Sequence, residues 1–255
     1  MHRREGPLLW LTLWTCVAAC SRSQRIDIPF VATWHEHTLT CGKSDEDPGV
    51  GVTDLRFFLS EFRLVDGSGH EVAARPIPDD RWQDENVSLI DFGFGCGPGQ
   101  TRHTLLSLRA PGGSFRELRF KVGVPFEVNH GNPAATPGPL GVAAMALQRQ
   151  SGHMFLKLEG KNYGIAYRLH VGSMFCEGSV GHVTTCHHPN RAEVSVPLTG
   201  GGIVFDVAEI LDPDMEVPTG CESENPVTCA YPFSALGLQW LGGEPKGTQH
   251  VFRAR

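Results

Sequence analysis

Apolar and polar positions alternate with period two through much of the chain. From Leu118 to Val128 apolar side chains fall at Leu118, Phe120, Val122, Val124, Phe126 and Val128. This spacing predicts one half-buried strand, with Pro125 marking an edge or a bulge. Tyr163, Ile165, Tyr167, Leu169 and Val171 form a second stripe, and Ala192, Val194, Val196 and Leu198 a third. Leu55 to Val65 is apolar on both faces, which places it deeper in a core. Ile203, Phe205 and Val207 continue the alternation, after which Asp206 and Glu209 suit the start of one short helix ending near Leu211. Turn residues separate the runs at Asp66-Gly67-Ser68-Gly69, Pro111-Gly112-Gly113, Asn132-Pro133 and Gly200-Gly201-Gly202. Short strands with turns between them predict an all-β fold, an antiparallel β-sandwich of one domain.

The first residues break this pattern. His2, Arg3 and Arg4 precede a short apolar run from Leu8 to Val17 that ends in Val17-Ala18-Ala19-Cys20. About ten apolar residues are too few to span a bilayer, so the run reads as the core of a secretory signal. Small residues before a cysteine match a bacterial lipobox. Residues 1–19 are then a signal peptide, Cys20 the lipidated N-terminus, residues 20–29 a tether and residues 30–253 the globular domain. The alternative is an ordinary signal cleaved near Ala19. The lipobox reading expects a bacterial envelope protein, periplasmic or on the outer-membrane face, that meets the membrane through its lipid anchor alone.

Composition adds three points. The net charge is −6, from 22 basic and 28 acidic side chains, so no basic excess points to nucleic acid. Thirty Gly and 18 Pro without a repeat period fit many turns. Eight Cys and 12 His are the chemically informative counts. Beyond the signal, six cysteines remain: Cys41, Cys96, Cys176, Cys186, Cys221 and Cys229. An even number in an exported chain argues for disulfide bracing. Several pairings are open. Proximity favours Cys176 with Cys186 and Cys221 with Cys229, which leaves Cys41 with Cys96. No Cys-x-x-Cys spacing supports a zinc site instead.

The histidines supply candidate ligands. In Trp34-His35-Glu36-His37, two imidazoles stand two residues apart; on a strand they face one way, with Cα atoms about 6–7 Å apart. His130 follows the 118–128 run. His170 lies on the face opposite its apolar stripe, and His187 and His188 follow Cys186. Met145, Met154 and Met174 lie near these segments, and thioethers suit Cu(I). The plainer reading is solvated histidines on polar strand faces. No G-x-S-x-G or H-E-x-x-H motif is present, so the chain reads as a binding protein and not an enzyme.

Several segments together carry a resemblance. They are Asp54 to Val65, Val87 to Phe92, Phe120-Lys121-Val122-Gly123-Val124-Pro125-Phe126-Glu127-Val128-Asn129-His130, Ser151 to Phe155, Leu169 to Ser173, and Cys186 leading to Pro189-Asn190-Arg191-Ala192. In this order they resemble the methanobactin-associated copper-binding family, also called the metallo-mystery-pair four-Cys-motif proteins, over about residues 30–253. The resemblance implies an exported β-rich protein that binds copper, with His130 and His170 at matching family positions. It also implies a dihaem peroxidase-like partner that oxidises a Trp to kynurenine, which then helps bind the metal. The chain departs from the family here. Where a Trp-x-Trp pattern and a Gly-Tyr pair are usual, it has Leu147-Gln148-Arg149-Gln150-Ser151-Gly152-His153. Both Trp are missing and His153 replaces the Tyr, which argues against the kynurenine step. Trp34, Trp82 and Trp240 remain. The competing reading is a non-metal β-sandwich module that binds glycan or protein through its loops.

Overall fold

The structure, a computed structural model, describes residues 22–94, 97, 101–147, 152–179, 181–211, 219–222, 229–239 and 241–255. The expected lipidation site Cys20, together with Cys96 and Trp240, lies outside these residues. In chain order the strands are β1 (Ser23–Trp34), β2 (His37–Thr38), β3 (Val50–Asp66), β4 (Glu71–Ala73), β5 (Arg75–Pro76), β6 (Val87–Asp91), β7 (Leu105–Pro111) and β8 (Phe115–Val122). They continue with β9 (Met154–Asn162), β10 (Ile165–Gly172), β11 (Met174–Ser179), β12 (His182–His188), β13 (Ala192–Pro197), β14 (Ile203–Asp206), β15 (Thr219–Glu222) and β16 (Phe252–Ala254). Among the described residues the short α-helices are α1 (Phe126–Asn129), α2 (Val207–Ile210) and α3 (Ala230–Ala235).

Two sheets carry the fold. One runs β16-β14-β1-β7-β5, with β2 added beside β1. The larger runs β13-β8-β3-β9-β10-β15, with β4 and β6 also paired to β3. The expected antiparallel sandwich is present, with two parallel pairings, β1 with β14 and β10 with β15. Phe57, Phe30, Phe205, Phe252 and Phe120 form an aromatic cluster between the sheets, with ring centroids of neighbours 5.1–6.4 Å apart.

Strand β3 explains its own two-sided apolar run. Phe57 faces the inter-sheet core, while Phe58 faces the opposite side of the larger sheet; both are fully buried. The outer side is roofed by the segment after β8, so a second cluster forms from Phe58, Val87, Leu89, Val124, Leu140, Met145, Met154 and Phe155. Alternation along β3 therefore feeds two cores, which is why neither face reads as polar.

The expected strand over 118–128 ends at Val122. Gly123 has φ 138°, and Pro125 has no N–H to extend the ladder. Its carbonyl instead accepts the N–H groups of Val128 and Asn129, closing the single turn α1. Tyr163 leaves its expected stripe too: it sits in a turn with φ 47° and is exposed. Tyr167, Leu169 and Val171 are buried in the inter-sheet core as their spacing predicts. The cap of α2 is as expected, the Asp206 side chain accepting the Ala208 N–H at 3.1 Å.

Strands β11 and β12 form a hairpin outside both sheets. Buried Asn190 anchors its foot, donating from Nδ2 to the Gly172 carbonyl at 2.7 Å. Two disulfides are described in full. Cys176–Cys186 joins directly opposed residues of this hairpin. Cys221–Cys229 lies in the inter-sheet core, where both cysteines are buried. Cys41 is disulfide-bonded as well. Among the described residues no helix is long and apolar enough to cross a membrane.

Candidate metal centre

The Gly-Val-Pro-Phe-x-x-Asn-His run has a local logic. At Gly123 an added Cβ would stand 3.0 Å from side-chain atoms of Arg191 and Phe155, so a larger residue would push the turn off the sheet. Pro125 starts the turn, and Asn129 and His130 end it. Asn129 is fully buried, and its Oδ1 accepts the His153 N–H at 2.9 Å. That bond fixes which end of the amide is Nδ2. Nδ2 then lies 3.4 Å from Ser173 Oγ and 3.4 Å from His130 Nε2. With Nδ2 as the donor, Nε2 is the acceptor of this contact, and a metal at Nε2 would take the place of the amide.

The same Nε2 lies 3.4 Å from Cys186 Sγ. The ligating atoms of His130, Cys176 and Cys186 all fall within 4.8 Å of one another. This is the donor group that could hold a metal among the described residues. Nitrogen and paired sulfur suit a soft cation. The two sulfurs are bonded to each other, however, so the bridged form offers the imidazole as its strong donor and no thiolate. Phe126 packs edge-on to His130, with centroids 5.0 Å apart, at the rim of this corner.

His170 is not in that group. It projects to the outer face of the larger sheet, because Leu169 and Val171 on either side point into the core. Its Nε2 is 2.7 Å from Glu159 Oε1, which fixes the ring. Burial holds the His170 imidazole below the usual histidine range, against the pull of Glu159. Burial alone would raise the Glu159 pKa. The hydrogen bond from His170 and the charge of Lys157 outweigh it and keep the carboxylate below its usual range. Lys157 also pairs with Asp54, which pairs with Arg56, so His170 joins an ion-paired row across three strands.

The expected pairing of His35 with His37 fails for a local reason. Trp34 and His37 are opposed partners of β1 and β2, so His35 and Glu36 are the turn itself. His35 has φ 53°, its N–H donates to Asp206 Oδ1, and both imidazoles are exposed. His37 instead lies 3.7 Å from Glu46. A reversed chain no longer presents residues two apart on one face. Met145 and Met154 are buried in the outer cluster, and Met174 pairs with His188 at the foot of the hairpin. His153 is buried with both ring nitrogens near carbonyls, Asn129 O at 2.9 Å and Leu140 O at 2.8 Å, so it braces the corner and has no nitrogen left for a metal. Trp34 belongs to the inter-sheet core, and Trp82 stacks on His103 with centroids 5.6 Å apart.

Sequence reading missed the bracing by Asn129 and His153 and the meeting of His130 with the hairpin bridge. The adjacent Asn129 was the available signal, since a buried amide beside a candidate ligand commonly orients it.

The sequence profile of the MbnP family matches residues 23–229. The chain belongs to the MbnP family. MbnP from Methylosinus trichosporium has a solved structure that superposes with a TM-score of 0.77 and 24% identity, covering 91% of this chain and 98% of that one; the two share a fold. Comparison with curated proteins gives no significant match. The MbnP family is associated with copper, and the His130 imidazole is a donor type that copper takes.

Proposed function

We propose that this MbnP-family chain is an exported, lipid-anchored protein that binds copper in the bacterial envelope. It acts as a carrier or buffer and not as an enzyme, with Cys20 as the anchor. The observation that carries the reading is the His130 corner: a half-buried imidazole, turned by the buried amide of Asn129, facing two sulfurs. His130 supplies the anchoring nitrogen. His170, oriented by Glu159 and outside the His130 group, is proposed as a second imidazole on the strength of the family resemblance alone. When bound, copper supplies the soft acceptor for which this donor set is suited. A dihaem peroxidase-like protein is the proposed partner in the envelope. Kynurenine is not part of the proposed ligand set, because the segment 147–153 carries no Trp.

Elemental analysis of protein purified from its native envelope tests this reading. Wild type should carry stoichiometric copper. His130→Ala should weaken copper binding by about tenfold or more, and the His130→Ala/His170→Ala double variant should lose it. Full copper occupancy in a folded double variant would show that the ligands lie elsewhere. Wild type free of copper would favour the non-metal binding module.

A further inference from the structure

The donor geometry of the His130 corner and its covalent state point in different directions. Three ligands held about 2.0–2.3 Å from one metal stand about 3.5–4 Å apart, which two bonded sulfurs cannot do. Opening the bridge needs little else to move. The His130 nitrogen already lies 3.4 Å from Cys186 Sγ, with the Asn129 amide beside it at the same distance. Among the described residues the hairpin that carries the bridge forms a two-stranded sheet of its own, and Cys176 and Cys186 are half-buried. An external thiol can therefore approach them. Cys221 and Cys229, at 1% and 0% exposure, are closed to such attack. Exposed bridges are the reducible ones in general.

Resting on the copper reading above, we propose that the Cys176–Cys186 bridge is a redox gate on a Cys2His site. Two equivalents of an external thiol break the S–S bond. They deliver two electrons and two protons to the cysteines and leave as their own disulfide. Cu(I) then displaces the two thiol protons to solvent and is held by Cys176 Sγ, Cys186 Sγ and His130 Nε2. Re-oxidation of the pair to the disulfide by an external disulfide removes both thiolates and releases the ion. The oxidised protein holds copper weakly through imidazole; the reduced protein holds it tightly.

Anaerobic titration with Cu(I), delivered as its acetonitrile complex against a chromogenic chelator, tests the gate on the mature chain. Mild dithiol treatment followed by alkylation and mass spectrometry should label Cys176 and Cys186 at a reductant concentration about tenfold below that needed for Cys221 and Cys229. After desalting, the reduced protein should bind Cu(I) at least about tenfold more tightly than the oxidised form, with thiolate-to-copper absorption in the near ultraviolet. The gain should vanish in Cys176→Ser/Cys186→Ser and in His130→Ala. In wild type, which needs no variant to fold, bound Cu(I) should shield Cys176 and Cys186 from alkylation. The gate is overturned if reduction adds no Cu(I) affinity, or if the gain survives in the serine double variant. Equal, His130-dependent copper binding in both redox forms would refute the gate and leave the copper reading standing. Failure of both forms to hold copper would remove both.

Discussion

Two disulfides of nearly equal span sit in opposite surroundings. Cys176–Cys186 and Cys221–Cys229 are separated by 10 and 8 residues, so the loop entropy each removes from the unfolded chain is nearly the same. One lies on a hairpin outside both sheets, half-buried, beside an imidazole. The other is buried among Leu169, Phe233 and their neighbours in the inter-sheet core. What differs is therefore burial and company, not chain topology. The core bridge is part of the packing. The hairpin bridge is reachable and lies beside the candidate ligand His130.

The contrast between these regions can be attacked directly. The largest stability loss should come from the core that holds the buried bridge: Phe57→Ala, at the centre of the aromatic cluster, should cost about 3–5 kcal/mol in urea unfolding while leaving Asn129 and His130 in place. Next come the bridges themselves. Cys221→Ser/Cys229→Ser should cost about 2–4 kcal/mol from the lost cross-link, toward the upper end because polar hydroxyls replace sulfur in an apolar core. Cys176→Ser/Cys186→Ser should cost the cross-link part alone, because its serines can reach water. Equal losses in the two pairs would show that burial does not set the bridges apart.

Smaller effects should appear at the corner. Asn129→Ala removes the amide that faces His130 Nε2 and the acceptor of the His153 N–H. Copper affinity should fall by about tenfold, in a protein that a near-ultraviolet spectrum shows still folded. Unchanged affinity would mean that the amide does not orient the ring.

The smallest effect is a pH dependence. Burial holds both His170 and His103 below the usual histidine range, so the unfolded chain takes up protons at a higher pH than the folded one. Stability should be full above the ordinary histidine value and fall as pH drops through it toward the folded values. Glu159, also held low, adds a second loss further into acid, below the ordinary glutamate value. Unfolding midpoints at about pH 7.5 and about pH 5 measure the histidine part. In His103→Phe, which keeps a ring to stack on Trp82, the difference should shrink; an undiminished slope would remove His103 from the account.

Much of the fold was legible because sheet faces are written locally. The stripes at Ala192, Val194 and Val196 and at Tyr167, Leu169 and Val171 are read from consecutive residues and lie where their alternation puts them. The two-sided run on β3 announced its burial, though not that two separate cores meet there. Local reading failed where one residue redirects the chain. Pro125 turned the end of a period-two pattern into α1, and His35 with Glu36 formed a turn where an extended strand was expected. The candidate site was harder still. His130 was legible as a candidate ligand and Cys176 with Cys186 as a bridge, but their meeting joins residues 56 apart through a hairpin outside both sheets. Nothing in the spacing of either element states that contact.

X-ray absorption at the copper K-edge tests the central claim most directly, comparing copper-loaded wild type with His130→Ala. The account predicts an imidazole scattering pattern in wild type that weakens or disappears in the variant. Identical spectra from the two proteins at equal copper loading would contradict it.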